Sequence, residues 1–406
     1  MIPRPYQLAG RDFLAQRKRA LLADQMRVGK TPQAVMAADA VSAARVLVLC
    51  PAIGRYQWRE EWATWSPDRA PAVILERDPP PHDFEGVLIA SYNRAVQHQD
   101  ALASTWKPWD VFIPDEAHFA KNPEAQRTKV VYGKGGIGWN AERIWALTGT
   151  PAPNHAGEMW PMLRAYGVVK CSYNDFVQYF CHYDWLTQRV FGNKRAHLAE
   201  LRALFEPVVL RRTRKEVAPD MPEIAYNFLS VEPYADVDLR SDDPDQVDSE
   251  DRIAVAHAKV PQLAVEIDEC IRGQEYRQTV VFGYHVEPLH ALGELLTAAD
   301  LDASIIYGGT PDAQRQRIIA SFKAGVCQVV IAQIMAGGMA VDLSAASHGY
   351  FLELDWSPAN NAQAASRLVN LQTREPVTMD VLTWPGSMDD KVQRTLIRKT
   401  RSAVFV

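Results

Sequence analysis

"LLADQMRVGKTPQA", residues 21–34, sets a short apolar run against a turn carrying Gly29-Lys30-Thr31, with a helix-forming stretch behind it. A strand ending near Leu22, a tight loop and a helix opening at Lys30 would aim unpaired backbone N–H groups and a positive helix end at an anion. Lys30 then reaches the terminal phosphates of a nucleotide and the Thr31 hydroxyl holds Mg²⁺. Pro32 suits a first helical turn, where no N–H partner is needed. The usual phosphate-loop pattern has glycine where Asp24 stands, so an ordinary glycine turn with a surface lysine is the competing reading.

Outward from this loop, short apolar runs alternate with helical stretches. They are Arg45–Cys50, Ala72–Leu75, Val87–Ala90, Val111–Ile113 and Ile144–Leu147 in the first half, then Thr279–Phe282, Ser304–Tyr307, Gln328–Ala332, Tyr350–Leu354 and Thr378–Leu382. Continuous rather than alternating hydrophobicity implies strands covered on both faces, hence parallel sheets flanked by helices. A chain of 406 residues is too long for one compact core, and an α/β protein of two domains follows. The expected division is 1–215, an acidic linker over 216–252, and 253–406. From Glu232 to Asp251 there are nine acidic residues and one arginine, with Pro233 and Pro244 as breakers, which suits a solvated connector. A helix should restart near Ile253 and run toward Ile271, kinked or interrupted at Pro261. The stretch of about 155–206, rich in aromatics, reads as a small helical insertion rather than a base-stacking platform.

Composition is that of a globular protein, 47% apolar and 23% charged, and the net charge of −5 argues against a generally cationic coat without excluding a local basic groove. Five cysteines with no C-x-x-C pair read as reduced thiols, and Cys171, Cys181 and His182 fit no zinc spacing. No apolar run approaches the roughly 18 residues of a membrane span and no secretory core opens the chain, so a cytosolic protein is expected.

Two further stretches carry chemistry. "FIPDEAHFAKN", residues 112–122, runs a strand into Asp115 and Glu116, placing two carboxylates where open α/β sheets bind ligands. Asp115 can hold Mg²⁺ through its water shell and Glu116 can deprotonate the attacking water. "LTGTP", residues 147–151, runs another strand into a hydroxyl-bearing turn, where Thr148 and Thr150 would connect the phosphate site to whatever the domain grips.

With these motifs in this order, the chain resembles the Swi/Snf-type ATPases of helicase superfamily two. "RPYQLAGRDFL" (4–14), "LLADQMRVGKTPQA", "VLVLCPAIGRYQWREEW" (46–62), "DEAHFAKN", "LTGTPAPN" and "VLRRTRKEVAPDMP" (209–222) are similar to motifs of the first motor domain. "YGGTPDAQRQRIIASF" (307–322), "AQIMAGGMAVDLSAA" (332–346) and "ELDWSPANNAQAASR" (353–367) resemble later ones. The resemblance accounts for Asp24 in place of the first glycine, whereas Arg27 stands where a glycine is usual. It implies two tandem RecA-like domains, ATP and Mg²⁺ as cofactors, and tracking on duplex or branched DNA without full strand separation. Catalysis would fall to Lys30, Asp115, Glu116 and Arg367. Nucleotide binding would involve Gln7, Asp24, Gly29, Lys30, Thr31, Gly337, Asp342 and Arg367, with the metal at Thr31 and Asp115. DNA contacts, mainly to phosphates, would come from Arg55, Trp58, Ser91, Tyr92 and Lys121, then His285, Gly309, Thr310 and Gln333. The basic run Arg211, Arg212, Arg214 and Lys215 would touch DNA, brace the interdomain connection or simply lie solvated.

One departure stands out. The family's last motif supplies two arginines three residues apart; Arg367 matches the first, but Asn370 stands at the second, and Ala340 replaces a common glycine. Arg367 alone, Arg374 swinging in, or weak hydrolysis are the alternatives. The expectation is a compact monomeric DNA-stimulated ATPase and translocase of bacterial or viral origin, without a membrane association. The alternatives are the motor of a restriction or repair machine and an ATP-binding DNA clamp.

Overall fold

The computed structural model describes residues 2–103, 107–152, 154–184, 186–187, 189–231, 249–337 and 341–401. The acidic stretch 232–248, Trp185 and Ala340 lie outside the described residues. The described residues divide into two units, one running to Val217 and the other Ala218–Arg401.

The first unit's strands are β1 (Arg19–Leu22), β2 (Arg45–Cys50), β3 (Val73–Ile74), β4 (Gly86–Ser91), β5 (Val111–Pro114), β6 (Arg143–Leu147), β7 (Cys181–Asp184), β8 (Arg189–Asn193) and β9 (Val209–Leu210). Seven of them form a parallel sheet in the order β3-β4-β2-β5-β6-β1-β9. Alternate side chains on each strand enter different cores. Leu47, Leu49, Leu88, Ala90 and Phe112 pack in one cluster, whereas Val46, Val48, Val87, Ile89, Val111 and Ile113 pack in the other. Both faces are therefore covered, which is why the sequence shows unbroken apolar runs. Helices α1 (Pro5–Ala15), α2 (Lys30–Ala40) and α3 (Arg55–Trp65) belong to this unit.

The aromatic segment folds as helices Trp160–Ala165, Tyr173–Phe180 and Leu198–Phe205 around an antiparallel β7–β8 hairpin, which the sequence did not signal. Phe176, Phe180 and Phe205 are buried in the same cluster as Leu47 and Phe112, so the insertion extends the main core instead of building its own.

In the second unit, β10 (Ile224–Ser230), β11 (Thr279–Gly283), β12 (Ala303–Ile306), β13 (Val329–Gln333), β14 (His348–Phe351) and β15 (Val377–Thr383) form a parallel sheet ordered β10-β15-β14-β11-β13-β12. Edge strand β10 lies within a stretch read as connector. It pairs along its whole length with β15, yet residues 225–230 are exposed, so it lacks the buried apolar run by which the other strands are found. The following helix runs from Ser249 to Arg272 through Pro261.

That helix carries Lys259, which is fully buried and donates to Asp389 Oδ2 at 2.9 Å and to the Leu382 carbonyl at 3.2 Å. A buried ammonium without its counter-charge is costly. Asp389→Ala is therefore expected to destabilise the second unit by about 3–5 kcal/mol, read as a lowered midpoint in urea unfolding.

Candidate active site

The phosphate-loop geometry starts from the end of β1. Gly29 has φ 75° and caps α2, which opens at Lys30; Arg27 adopts φ 68°, a left-handed backbone that glycine would take without strain. Thr31 stands half-buried in the first turn. Lys30 Nζ donates to the carbonyls of Asp24 at 2.9 Å and Gln25 at 3.3 Å. Burial lowers the lysine's pKa, opposed by the charges of Glu116, Asp24 and Asp115. Gln7, on α1, is buried and lies against the loop: a Cβ at Gly29 would stand 2.4 Å from its Nε2. Tyr6 donates its hydroxyl to the Val28 carbonyl at 2.8 Å.

The acidic pair follows β5, two strands away from β1 across β6, at the same carboxyl edge. Asp115 extends the ladder through a bridge to Leu147. Its Oδ2 accepts from Trp58 Nε1 at 2.8 Å and its Oδ1 from the Glu116 N–H at 2.9 Å. Burial and the neighbouring Glu116 charge push its carboxyl up to about 6, against the pull of those two bonds and of Lys30. Glu116 sits at φ 48°, which turns its carboxylate out of the strand direction toward His118 Nδ1, 3.3 Å away. The same His118 nitrogen lies 3.0 Å from Thr148 Oγ1, joining the second motif to the third. Gly149 closes the group, since a Cβ there would come within 3.5 Å of Lys30 Nζ.

These groups fit a magnesium–nucleotide. Hydroxyl and carboxylate oxygens at Thr31 and Asp115 are the hard donors that Mg²⁺ takes in small number alongside phosphate and water. Thr31 and Asp115 would hold such an ion, which would supply positive charge to offset that of the phosphates. If Asp115 donates to the ion, only its ionised form can do so, and affinity for Mg·ATP is then expected to weaken about tenfold per unit as pH falls below about 6, in a fluorescent-nucleotide titration.

In the second unit, Glu353 is buried and accepts from the Tyr284 and His285 N–H groups at 3.1 and 2.9 Å; His285 Nδ1 lies 2.7 Å away. Burial alone would raise its pKa, but the His285 bonds and charge and the nearby Arg252 hold it below the usual value. Arg252 lies over the rings of Tyr284 and Trp356. Arg367 is buried in the short 3-10 helix Ser366–Leu368, and its carbonyl accepts from the Leu343 N–H at 3.0 Å.

Residues 6–236, more than half of the chain, match the SNF2-related domain. The chain belongs to the SNF2 family. Residues 260–371 match the helicase conserved C-terminal domain. A SWI/SNF-related matrix-associated actin-dependent regulator of chromatin subfamily A-like protein 1 from Drosophila melanogaster is 26% identical over 97% of this chain and 54% of its own length. The DNA annealing helicase and endonuclease ZRANB3 of Mus musculus is 25% identical over 98% of this chain and 40% of its own. The chain thus spans about half the length of these curated relatives, or less. The Sulfolobus solfataricus SWI2/SNF2 ATPase core in complex with dsDNA superimposes with a TM-score of 0.50 at 20% identity, covering 99% of this chain and 92% of that one. Two RecA-like lobes are accordingly the fold.

Against this SNF2 frame, the residues expected to touch DNA fall into two groups. Trp58, Ser91, Tyr92 and Thr310 are at most 6% exposed and serve as internal supports. Trp58 holds Asp115, Ser91 caps the Arg94 N–H, Tyr92 donates to the Asp115 carbonyl at 2.7 Å, and Thr310 accepts from the Tyr307 N–H. Arg55, Lys121, His285, Gly309 and Gln333 are more accessible, although Arg55 reaches Glu76 at 3.3 Å and Lys121 pairs with Glu158 at 2.8 Å. Gln333 accepts from the Gly308 N–H and donates to the Tyr284 carbonyl, bracing two strand ends.

Asp24 is fully buried and held by Arg212 and Gln33, so its carboxylate supports the loop from within. Asp342 pairs with Lys323 at 3.2 Å, and Gly337 ends the short helix Ile334–Gly337. Asn370, at the second arginine's place, builds a turn: its Oδ1 accepts from the Gln372 and Thr373 N–H groups, and its Nδ2 donates to Ser344 Oγ. Arg374 pairs with Asp220 at 3.1 Å and donates to the Leu371 and Thr373 carbonyls. Among the described residues, no helix is long and apolar enough to cross a membrane, and no group of three or more His, Cys, Asp or Glu is placed to hold a metal ion. The residues that sequence reasoning missed are supports: Glu353 and Arg252 in the second unit, and Arg212 as a loop brace. Glu353 opens a quoted motif and Arg212 sits in a basic run, but neither signal discloses burial.

Proposed function

We propose that this chain is a Mg·ATP-dependent, DNA-stimulated ATPase that translocates on duplex or branched DNA and remodels DNA or protein–DNA complexes without necessarily separating strands. The observation that carries this reading is the gathering of Lys30, Asp115, Glu116 and Thr148 at one sheet edge in a chain of the SNF2 family. In this scheme Lys30 binds the terminal phosphates, Asp115 and Thr31 hold the metal, and Glu116 deprotonates the attacking water, with its proton passing to the carboxylate. Gln7 orients the base, and Arg367 is the second unit's contribution to neutralising transferred phosphate. DNA is gripped through its phosphates by accessible motif residues such as Arg55, Lys121 and His285, giving hold without sequence preference.

The test is phosphate release measured against single-stranded, duplex, forked and RNA ligands. Strong stimulation by duplex or forked DNA is the expected result; release that no nucleic acid raises would sink the motor reading. An ATP-holding DNA clamp is the second reading, favoured by the uncharged Asn370, and it predicts nucleotide binding with no release.

A further inference from the structure

Arg212 lies two residues beyond β9 and five before the last residue of the first unit's main segment, Val217. Its guanidinium is engaged entirely inside that unit. Nε donates to Asp24 Oδ1 at 3.0 Å, and Nη2 donates to Asp24 Oδ2 and to Gln33 Oε1. Nη1 donates to the Tyr6 carbonyl at 2.6 Å. One side chain thereby joins the phosphate loop, α2 and α1. Gly10 allows α1 to come this close, since a Cβ there would stand 1.7 Å from Gln33 Oε1 and 2.9 Å from Arg212 Nη2. Asp24 is 0% exposed, and a buried carboxylate of this kind requires its fork-like cationic partner.

The backbone repeats the connection. The N–H groups of Leu21, Ala23 and Gln25 donate to the carbonyls of Val208, Leu210 and Arg212 at 2.7, 2.7 and 2.9 Å. The Arg214 N–H donates to Gln25 Oε1 at 2.7 Å, and Arg211 Nη1 donates to the Ala23 carbonyl at 3.2 Å. Asp24 and Gln25 are also the residues whose carbonyls hold Lys30. The loop that presents Lys30 is therefore laced, residue by residue, to the chain that leaves the unit.

We propose that Arg212 is a positioning residue that fastens the phosphate loop to the departing chain, so that nucleotide drawing on Lys30 is felt along residues 208–217. The inference rests on the ATP-binding reading above. A phosphate that takes Lys30 from the two carbonyls changes the balance of bonds at Asp24 and Gln25. The ladder and the Arg212 fork pass that change to the segment leading into the second unit.

Hydrogen exchange on the full chain, read by mass spectrometry over 208–217, tests it. Saturating Mg·ATP is expected to change exchange there about tenfold in the natural chain, and about twofold or less in Arg212→Lys, which keeps the charge beside Asp24 but loses the fork. An undiminished response in Arg212→Lys overturns the proposal. Should that variant not fold, Asp24→Asn combined with Arg212→Gln removes both charges of the pair and is judged by the same outcomes. ATP binding is titrated separately. A natural chain that binds no ATP removes the underlying reading and the proposal with it, whereas binding with no response over 208–217 overturns the proposal alone.

Discussion

Glu116→Gln is expected to cut DNA-stimulated phosphate release by about 10²- to 10⁴-fold while nucleotide still binds. The left-handed backbone at Glu116 turns its carboxylate out of β5 toward His118, and glutamine keeps that size but cannot accept the water's proton. The substitution also removes the charge that helps hold Asp115 up to about 6, so the pH midpoint for Mg·ATP affinity should move downward in this variant. Single-turnover release and nucleotide titration together check both consequences. Release well above background and unchanged by the substitution would exclude Glu116 as the base, whereas a natural chain that binds nucleotide and releases nothing above background would favour the clamp.

Arg367→Ala is expected to lower turnover further, by about 10³- to 10⁵-fold, because asparagine at 370 has no charge to share the task. In the structure Asn370 is committed to its own turn and to Ser344, and Arg374 is paired with Asp220. Asn370 has no charge to offer, and Arg374 is already paired. Retained turnover in Arg367→Ala would show that the second unit supplies no essential charge. Asn370→Arg adds a control: faster turnover would identify the missing arginine as limiting, and unchanged turnover would defeat that account.

Strands and their order of appearance were legible because each buried strand feeds two cores and so reads as a continuous apolar run; β2 matched its expected bounds, Arg45–Cys50. The hairpin β7–β8 and edge strand β10 were not legible, since partly exposed strands lack that signature. The motif residues arrive together because they follow β1, β5 and β6 at one sheet edge, a consequence of topology that spacing alone conveys. Side-chain direction was the illegible part. Trp58 and Tyr92 were expected to face DNA, yet both bond to Asp115, and nothing in one-dimensional spacing separates a residue that faces outward from one that holds its neighbour. Asp24 gave the same difficulty: its partner Arg212 is 188 residues away in sequence.

The two carbonyl bonds of Lys30 have a consequence for how ATP is recognised. In the proposed scheme a phosphate oxygen meets an ammonium that has already spent two of its three N–H donors on these carbonyls, so few hydrogen bonds are gained and the gain is largely the attraction between opposite charges. Nucleotide affinity should accordingly weaken as ionic strength rises, with the carbonyls of Asp24 and Gln25 setting the threshold that a weakly charged ligand fails to cross.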